Sequence, residues 1–170
     1  IDRPLRPSFP EGFRNEVHVV GTVMGADQEN PYDVAAINGA SAALMISGIA
    51  FDGPIGAVRL AYTTDGEWLA HPTYEESDAA TFEIVVAGRQ LDDGDIAVMM
   101  VEAGGTEKSW GYIEDGAPKV DEAALATALE ESKQYIKSVI ALQKDLVAAY
   151  EAEHGPIEAV PYSVSTDYDD

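Results

Sequence analysis

Residues 81–102, TFEIVVAGRQLDDGDIAVMMVE, decide the fold of this chain. Two apolar runs, TFEIVVAG at 81–88 and DIAVMMVE at 95–102, are rich in valine and isoleucine, which favour β-strands. A polar link at 89–94 separates the two runs, and its length suits a hairpin with a long loop. The stretch therefore predicts two strands joined as a hairpin.

Three further strands are predicted in the sequence that precedes this hairpin. Residues 55–62 and 67–69 are joined by TTDG at 63–66, where Asp-Gly is a strong hairpin signal. EVHVVGTVMG at 16–25 is rich in valine and partly alternates, which predicts a strand buried over most of its length.

Two helices complete the predicted domain. YDVAAINGASAALMIS at 32–47 predicts a helix ended by Gly48. Because Gly39 costs ~1 kcal/mol inside a helix, we expect another backbone to lie close to it. Asp121 is the predicted N-cap of a long amphipathic helix that stops at Gly155. Strands and helices in this order predict an α+β domain with a mixed sheet packed against helices, followed by the long helix.

The composition describes an acidic globular protein. Asp and Glu number 31 against 10 Lys and Arg, for a formal net charge of -21, and hydrophobic residues make up 46%. Such a surface repels polyanions, so nucleic acid would need a local exception. Residues 1–14 supply one, with three arginines against two carboxylates and a net of +1. The absence of cysteine excludes disulfides and thiolate metal sites, and no run of about 20 apolar residues predicts a membrane span.

The basic N-terminal segment holds the candidate anion-binding residues. Pro4 and Pro7 bias the residues before them toward extended backbone, which would present Arg3 and Arg6 with little ordering cost. A guanidinium fits phosphate in a bidentate way, so we predict phosphate or RNA-backbone contact by Arg3, Arg6 and Arg14. The alternative is that these arginines pair with carboxylates of the same domain, such as Asp2 or Asp52.

Five blocks of sequence together resemble the first ribonuclease-PH-like repeat of the bacterial polynucleotide phosphorylase family. The blocks occur in the same order in the chain: IDRPLRPSFPEGFRNEV at 1–17, DVAAINGASAAL at 33–44, SGIAFDGPIGAVR at 47–59, FEIVVAG at 82–88 and DIAVMMVEA at 95–103. The resemblance covers about residues 1–150. It implies an RNase PH-like fold, of the kind also found in ribosomal protein S5 domain 2.

The resemblance also implies a function. Members of the family form a cytoplasmic homotrimeric ring whose subunits each carry two such repeats. RNA threads the ring and is cut from its 3′ end by inorganic phosphate, with Mg²⁺, to release nucleoside diphosphates during mRNA degradation. An RNA helicase or an endoribonuclease of a degradosome is an implied partner. Since the family has strands and an arginine-rich loop before the IDRPLRP block, we expect the chain to begin inside a longer polypeptide.

The family places its metal-binding carboxylates in the second repeat, spaced D-x-x-x-D-x-D before a short F-K-V-A-G strand. Ungapped alignment of that strand with this sequence puts Ser77, Thr81 and Glu83 at the three carboxylate positions. One carboxylate leaves Mg²⁺ short of charge and oxygen ligands. We therefore expect neither catalytic residues nor a metal in this segment, with Glu83 a weak candidate. Further carboxylates leave a shifted metal site open: Glu75, Glu76 and Asp78.

Three functions stay open for this sequence. The leading one is an RNA-binding and ring-forming segment of a phosphorolytic exoribonuclease, with a core repeat at 1–155 and an extended linker at 156–170 toward an all-helical domain. The second is an independently active RNase-PH-like phosphorolase. The third is a purely structural repeat that makes no contact with RNA.

Overall fold

Four strands form one antiparallel sheet in the computed structural model, which describes residues 1–164. The strands are β1 Ile55–Tyr62, β2 Trp68–Ala70, β3 Phe82–Gln90 and β4 Ile96–Gly105. The helices are α1 Asp2–Leu5, α2 Asp33–Ser47, α3 Tyr74–Asp78, α4 Ser109–Glu114 and α5 Glu122–His154, and a short 3-10 helix spans Arg6–Ser8. The strand order is β2-β1-β3-β4, with register pairs such as Val58 with Val86.

The sheet separates two hydrophobic cores. Alternate residues of a strand point to opposite faces, so β1 and β3 serve both cores. Helix α5 covers one face, where Leu60, Ile84 and Ile136 are buried. Helix α2 covers the other face, where Ile55, Val85 and Leu44 are buried. This architecture confirms the α+β class, although the sheet of residues 1–164 is antiparallel throughout rather than mixed.

Local sequence signals set most element boundaries. Gly48 ends α2 in the left-handed conformation, with φ 77°. The Asp121 side chain accepts a hydrogen bond from the Ala124 amide and caps α5, which ends at Gly155 as predicted. Both predicted hairpins are present: β1 pairs with β2, and β3 pairs with β4. The hairpin and helix predictions are therefore confirmed, with boundaries within three residues of those predicted.

The predicted strand at 16–25 is wrong. This segment contains no strand, and its backbone forms no hydrogen bond with another backbone group of residues 1–164. Val20 is 86% exposed and Met24 is 92% exposed. A valine-rich segment becomes a strand only beside a partner that completes its ladder, and the described residues supply none.

Two other expectations are wrong. Within residues 1–164, nothing outside α2 lies within 4 Å of the place where a Cβ on Gly39 would sit, so no other described backbone approaches this glycine. Arg3 and Arg6 are helical rather than extended, because the φ fixed by proline also suits the first turn of a helix. Burial of Pro4 and Leu5 holds this turn against the domain.

Residues after α5 return to the domain surface. The Val160 amide donates to the Gly48 carbonyl at 2.8 Å, and Phe13 forms an isolated bridge with Val164. The backbone between 155 and 163 has no regular structure. The division into a domain at 1–155 and a linker at 156–170 stays a prediction, and its last six residues lie outside the described part of the chain.

Candidate functional site

A large open groove lies between α2, the segment at 17–25 and the end of β4. Its volume is about 1500 Å³. The floor is apolar, with small residues of α2 and with Val85 and Met100 of the sheet. Its charged lining residues are Asp2, Arg3, Asp33, Arg59, Glu83 and Glu102. The groove thus brings one candidate arginine and the weak metal candidate to a common surface.

An ion network centred on Arg59 stands at this groove. Arg59 lies on β1 and points to the α2 face, where its guanidinium pairs with Asp33 of the first turn of α2. The same guanidinium contacts Glu83 of β3, with 3.2 Å between Nη1 and Oε2. Ser77 donates its hydroxyl to the other Glu83 oxygen at 2.6 Å. One arginine therefore joins the sheet to α2 through two carboxylates.

The environment of Arg59 keeps it charged. Burial by itself lowers the pKa of Arg59, but the negative charges of Asp33 and Glu83 and their hydrogen bonds raise it above its ordinary value. The side chain is only 20% exposed. Because a buried guanidinium must be paired, the two carboxylates are part of the fold and not free to serve another ligand without replacement.

The residues aligned with the family's metal ligands do not fit Mg²⁺. Ser77 and Glu83 are in contact, but Glu83 already faces the cationic Arg59. The Thr81 hydroxyl turns away and donates to the Tyr62 carbonyl at 3.2 Å. Across residues 1–164 no three Asp, Glu or His side chains converge as a cation site would require. The single carboxylate available is thus neutralised by the arginine beside it.

Two of the other carboxylates near this site, Glu76 and Asp78, are held by structural contacts. Glu76 bonds to the backbone and hydroxyl of Thr73 and closes the capping box of α3. These hydrogen bonds lower the pKa of Glu76. Asp78 pairs with Lys108 at 3.5 Å. The capping box and the ion pair with Lys108 give both carboxylates a structural role in the short helix α3.

The three candidate arginines lie on the surface near the N-terminus. Arg6 donates to both carboxylate oxygens of Asp2, from Nη2 at 2.7 Å and from Nε at 3.1 Å. Arg3 lies 3.8 Å from Glu102 of β4, and Arg14 donates to the Phe13 carbonyl at 3.4 Å. The side chains of Arg3 and Arg6 are 68% and 77% exposed. The pairing of Arg6 with Asp2 is thus observed, whereas Asp52 pairs with none of the three.

Sequence reasoning missed the role of Arg59 and Asp33. The signal was present, since Arg59 is the one charged residue in the apolar strand IGAVRLAY. A charge in such a strand is retained only beside a partner. The partners lie 26 residues before it and 24 residues after it, and only the folded sheet brings them together.

Comparison with known proteins finds a family match over part of the chain. Residues 1–50 match the 3′ exoribonuclease family, domain 1 (RNase_PH). The RNase PH-like fold expected from the sequence is thereby confirmed.

Several similar proteins carry the name polyribonucleotide nucleotidyltransferase. The chain is 53% identical over 148 residues to a polyribonucleotide nucleotidyltransferase of Acidothermus cellulolyticus, an alignment that covers 87% of the chain and 19% of the relative. It is 49% identical over all 170 residues to a polyribonucleotide nucleotidyltransferase of Salinispora arenicola, of which it covers 21%. The chain spans about a fifth of the length of these relatives. The resemblance to polynucleotide phosphorylases found in the sequence is confirmed.

No helix among residues 1–164 combines the length and the apolar character needed to cross a bilayer.

Proposed function

We propose that this chain is part of a phosphorolytic 3′-to-5′ exoribonuclease, a polyribonucleotide nucleotidyltransferase, in which it contacts RNA and helps to build a homotrimeric ring. The observation that carries the proposal is the 49% identity over all 170 residues to the Salinispora arenicola relative. That alignment spans both cores of the sheet, both long helices and the Arg59 network.

In this proposal the chemistry belongs to a second repeat of the same enzyme. Inorganic phosphate is the co-substrate, and one of its oxygens bonds to the phosphorus of the terminal nucleotide. The bond from that phosphorus to the 3′ oxygen of the preceding nucleotide breaks, this oxygen takes up a proton as the new 3′ hydroxyl of the shortened RNA, and a nucleoside diphosphate is released. Mg²⁺ neutralises charge at that second site. The pairing of Glu83 with Arg59 supports this assignment, because the present segment offers no free carboxylate at the aligned position.

The contact with RNA is assigned to Arg3, Arg6 and Arg14. The carboxylate partners of Arg3 and Arg6 are exposed, and an exposed ion pair contributes only about 0–1 kcal/mol. A phosphodiester can therefore replace Asp2 or Glu102 at little cost. Action in the cytoplasm on mRNA, and association with an RNA helicase or an endoribonuclease in a degradosome, complete the proposal.

A chimera tests the proposal: the Salinispora arenicola relative carries these 170 residues in place of its own aligned segment. We expect phosphate-dependent release of nucleoside diphosphates from poly(A). Arg3→Ala and Arg6→Ala should weaken RNA binding, and each should reduce the slope of log affinity against log salt by about one unit. Lys119→Ala is the matched control, because Lys119 is exposed and forms no ion pair within residues 1–164.

The purified chain alone separates the alternatives. Binding of a labelled oligoribonucleotide, measured by fluorescence anisotropy, should show the same effects of Arg3→Ala and Arg6→Ala without turnover. Release of nucleoside diphosphates by the chain with Mg²⁺ would instead establish an independently active phosphorolase. If the parent and both arginine variants show the same RNA affinity and the same dependence of that affinity on salt, the chain is a purely structural repeat.

A further inference from the structure

A second, smaller pocket lies at the end of the sheet away from the Arg59 network. It has a volume of about 440 Å³ and is formed by the Asp52–Pro54 turn, the β3–β4 hairpin and Lys144 of α5. Arg89, near the end of β3, also lines it. Arg89 and Glu83 are six residues apart on β3, about 20 Å along an extended strand. The pocket is therefore distinct from the groove.

The basic groups of this pocket are unusual in so acidic a chain. The chain has 10 Lys and Arg residues. Six of them have a carboxylate within 4.0 Å: Arg3, Arg6, Arg59, Lys108, Lys133 and Lys137. Among residues 1–164, four cations lack such a partner, and two of these four, Arg89 and Lys144, line this one pocket. Asp52 and Asp92 line it too, but neither carboxylate comes within 4.0 Å of the two cations.

Both cations are carried on rigid elements. The backbone of Arg89 is paired on both sides, with Ile55 of β1 and Ala97 of β4. Lys144 belongs to α5, and its ammonium donates to the Gln90 side-chain oxygen at 2.8 Å. The Gln90 amide in turn donates to the Gly94 carbonyl at 3.3 Å. These contacts limit the motion of the lysine and reduce the entropy lost when a ligand binds.

We propose that this pocket binds a phosphate group between the Arg89 guanidinium and the Lys144 ammonium. A guanidinium donates two parallel hydrogen bonds to phosphate, and an ammonium adds a charge-assisted bond. The pocket volume falls within the usual range of small-molecule sites. The phosphate is either free inorganic phosphate or the phosphate of a mononucleotide, whose ribose hydroxyls can donate to Asp52.

The test is a titration of the ¹⁵N-labelled chain with inorganic phosphate and, separately, with AMP, followed by amide chemical shifts at constant ionic strength. We expect shifts at Arg89, Gly94 and Lys144, with affinity weakened about tenfold by Arg89→Gln and by Lys144→Gln. Lys119→Gln is the matched control, since it removes the same charge outside the pocket and should leave the affinity unchanged.

Asp52→Ala separates the two sources of phosphate. Removing the carboxylate charge should strengthen binding of inorganic phosphate. If a mononucleotide is the ligand, the same change should weaken the binding of AMP, because the ribose hydroxyls lose the side chain that accepts their hydrogen bonds. The proposal is overturned if Lys119→Gln weakens binding as much as Arg89→Gln, or if no pocket amide shifts at phosphate concentrations up to about 20 mM, well above a millimolar Kd. These results do not depend on RNA, so they stand apart from the proposed exoribonuclease function.

Discussion

Replacing Arg59 by methionine should destabilise the domain by about 2 kcal/mol. Methionine keeps the apolar stem but removes the donor to Asp33 and Glu83. Loss of one partner of a fully buried ion pair costs about 3–5 kcal/mol, and a hydrogen bond to a charged group contributes about 1.5–3 kcal/mol. Asp33 is 52% exposed and can be rehydrated, whereas Glu83 is 27% exposed and cannot be fully rehydrated. The estimate therefore rests mainly on Glu83.

Urea unfolding at neutral pH, followed by circular dichroism, measures this effect. With a slope of about 2 kcal/mol/M, the midpoint should fall by about 1 M. Arg89→Met is the matched control, because Arg89 lies on the neighbouring strand and has no carboxylate partner among the described residues; it should change stability by less than about 0.5 kcal/mol.

A double variant tests the assignment to the pair. Combining Arg59→Met with Glu83→Gln should cost less than the sum of the two single changes, because the second change removes the carboxylate that the first leaves unpaired. Strict additivity, or an Arg59→Met midpoint equal to that of Arg89→Met, would refute the reasoning.

Three further predictions concern other parts of the chain. Gly39→Ala should raise the free energy of unfolding by about 1 kcal/mol in urea, because the helix gains a better former and the new methyl meets open space. Gly56→Ala should lower it by about 1–3 kcal/mol, since its Cβ would lie 2.9 Å from the Ile136 carbonyl oxygen. Asp27→Asn should destabilise the chain at neutral pH, with a difference from the parent that shrinks as the pH falls from about 4 toward 2.

The sign of the Asp27 effect follows from its hydrogen bonds. The Asn30 backbone amide, the Asn30 side chain and the Glu29 amide all donate to this carboxylate and lower its pKa from 3.8 to about 2. A carboxylate whose pKa is lower in the folded state stabilises that state when the pH is above the pKa of the unfolded state. This contribution is lost as the pH falls through the pKa of the folded state. A parent–variant difference at pH 2 as large as the difference at neutral pH would contradict this reasoning. For Gly39→Ala and Gly56→Ala, changes in the free energy of unfolding of equal size and the same sign would contradict the two predictions.

The parts of the fold that local sequence determines could be predicted. The β3–β4 hairpin, α2 and α5 carry their own turn, cap and periodicity signals, and each appears within three residues of its prediction. Helix α3 was missed although Thr73 and Glu76 form a capping box, which is a readable signal. The strand at 16–25 failed because strand formation depends on a partner, which a single segment does not reveal.

The candidate site was harder to predict for the same reason. The sequence resemblance aligned Ser77 and Glu83 with two metal-ligand positions of the family, and the structure shows that these two side chains are in contact. The third member of the contact, Arg59, lies 24 residues before Glu83 and joins it only through the antiparallel register of β1 and β3. Long-range ion pairs of this kind are set by topology and not by local spacing.

The two-sided sheet restricts how the length of this chain can vary among related sequences. Val58 and Leu60 face α5, whereas Ile55 and Ala57 face α2. One inserted residue inside β1 would exchange these sets and spoil both cores at once. Insertions and deletions should therefore be confined to the turns at 63–66 and 91–94. The sheet thus constrains the length of its strands and leaves the length of the turns free to vary.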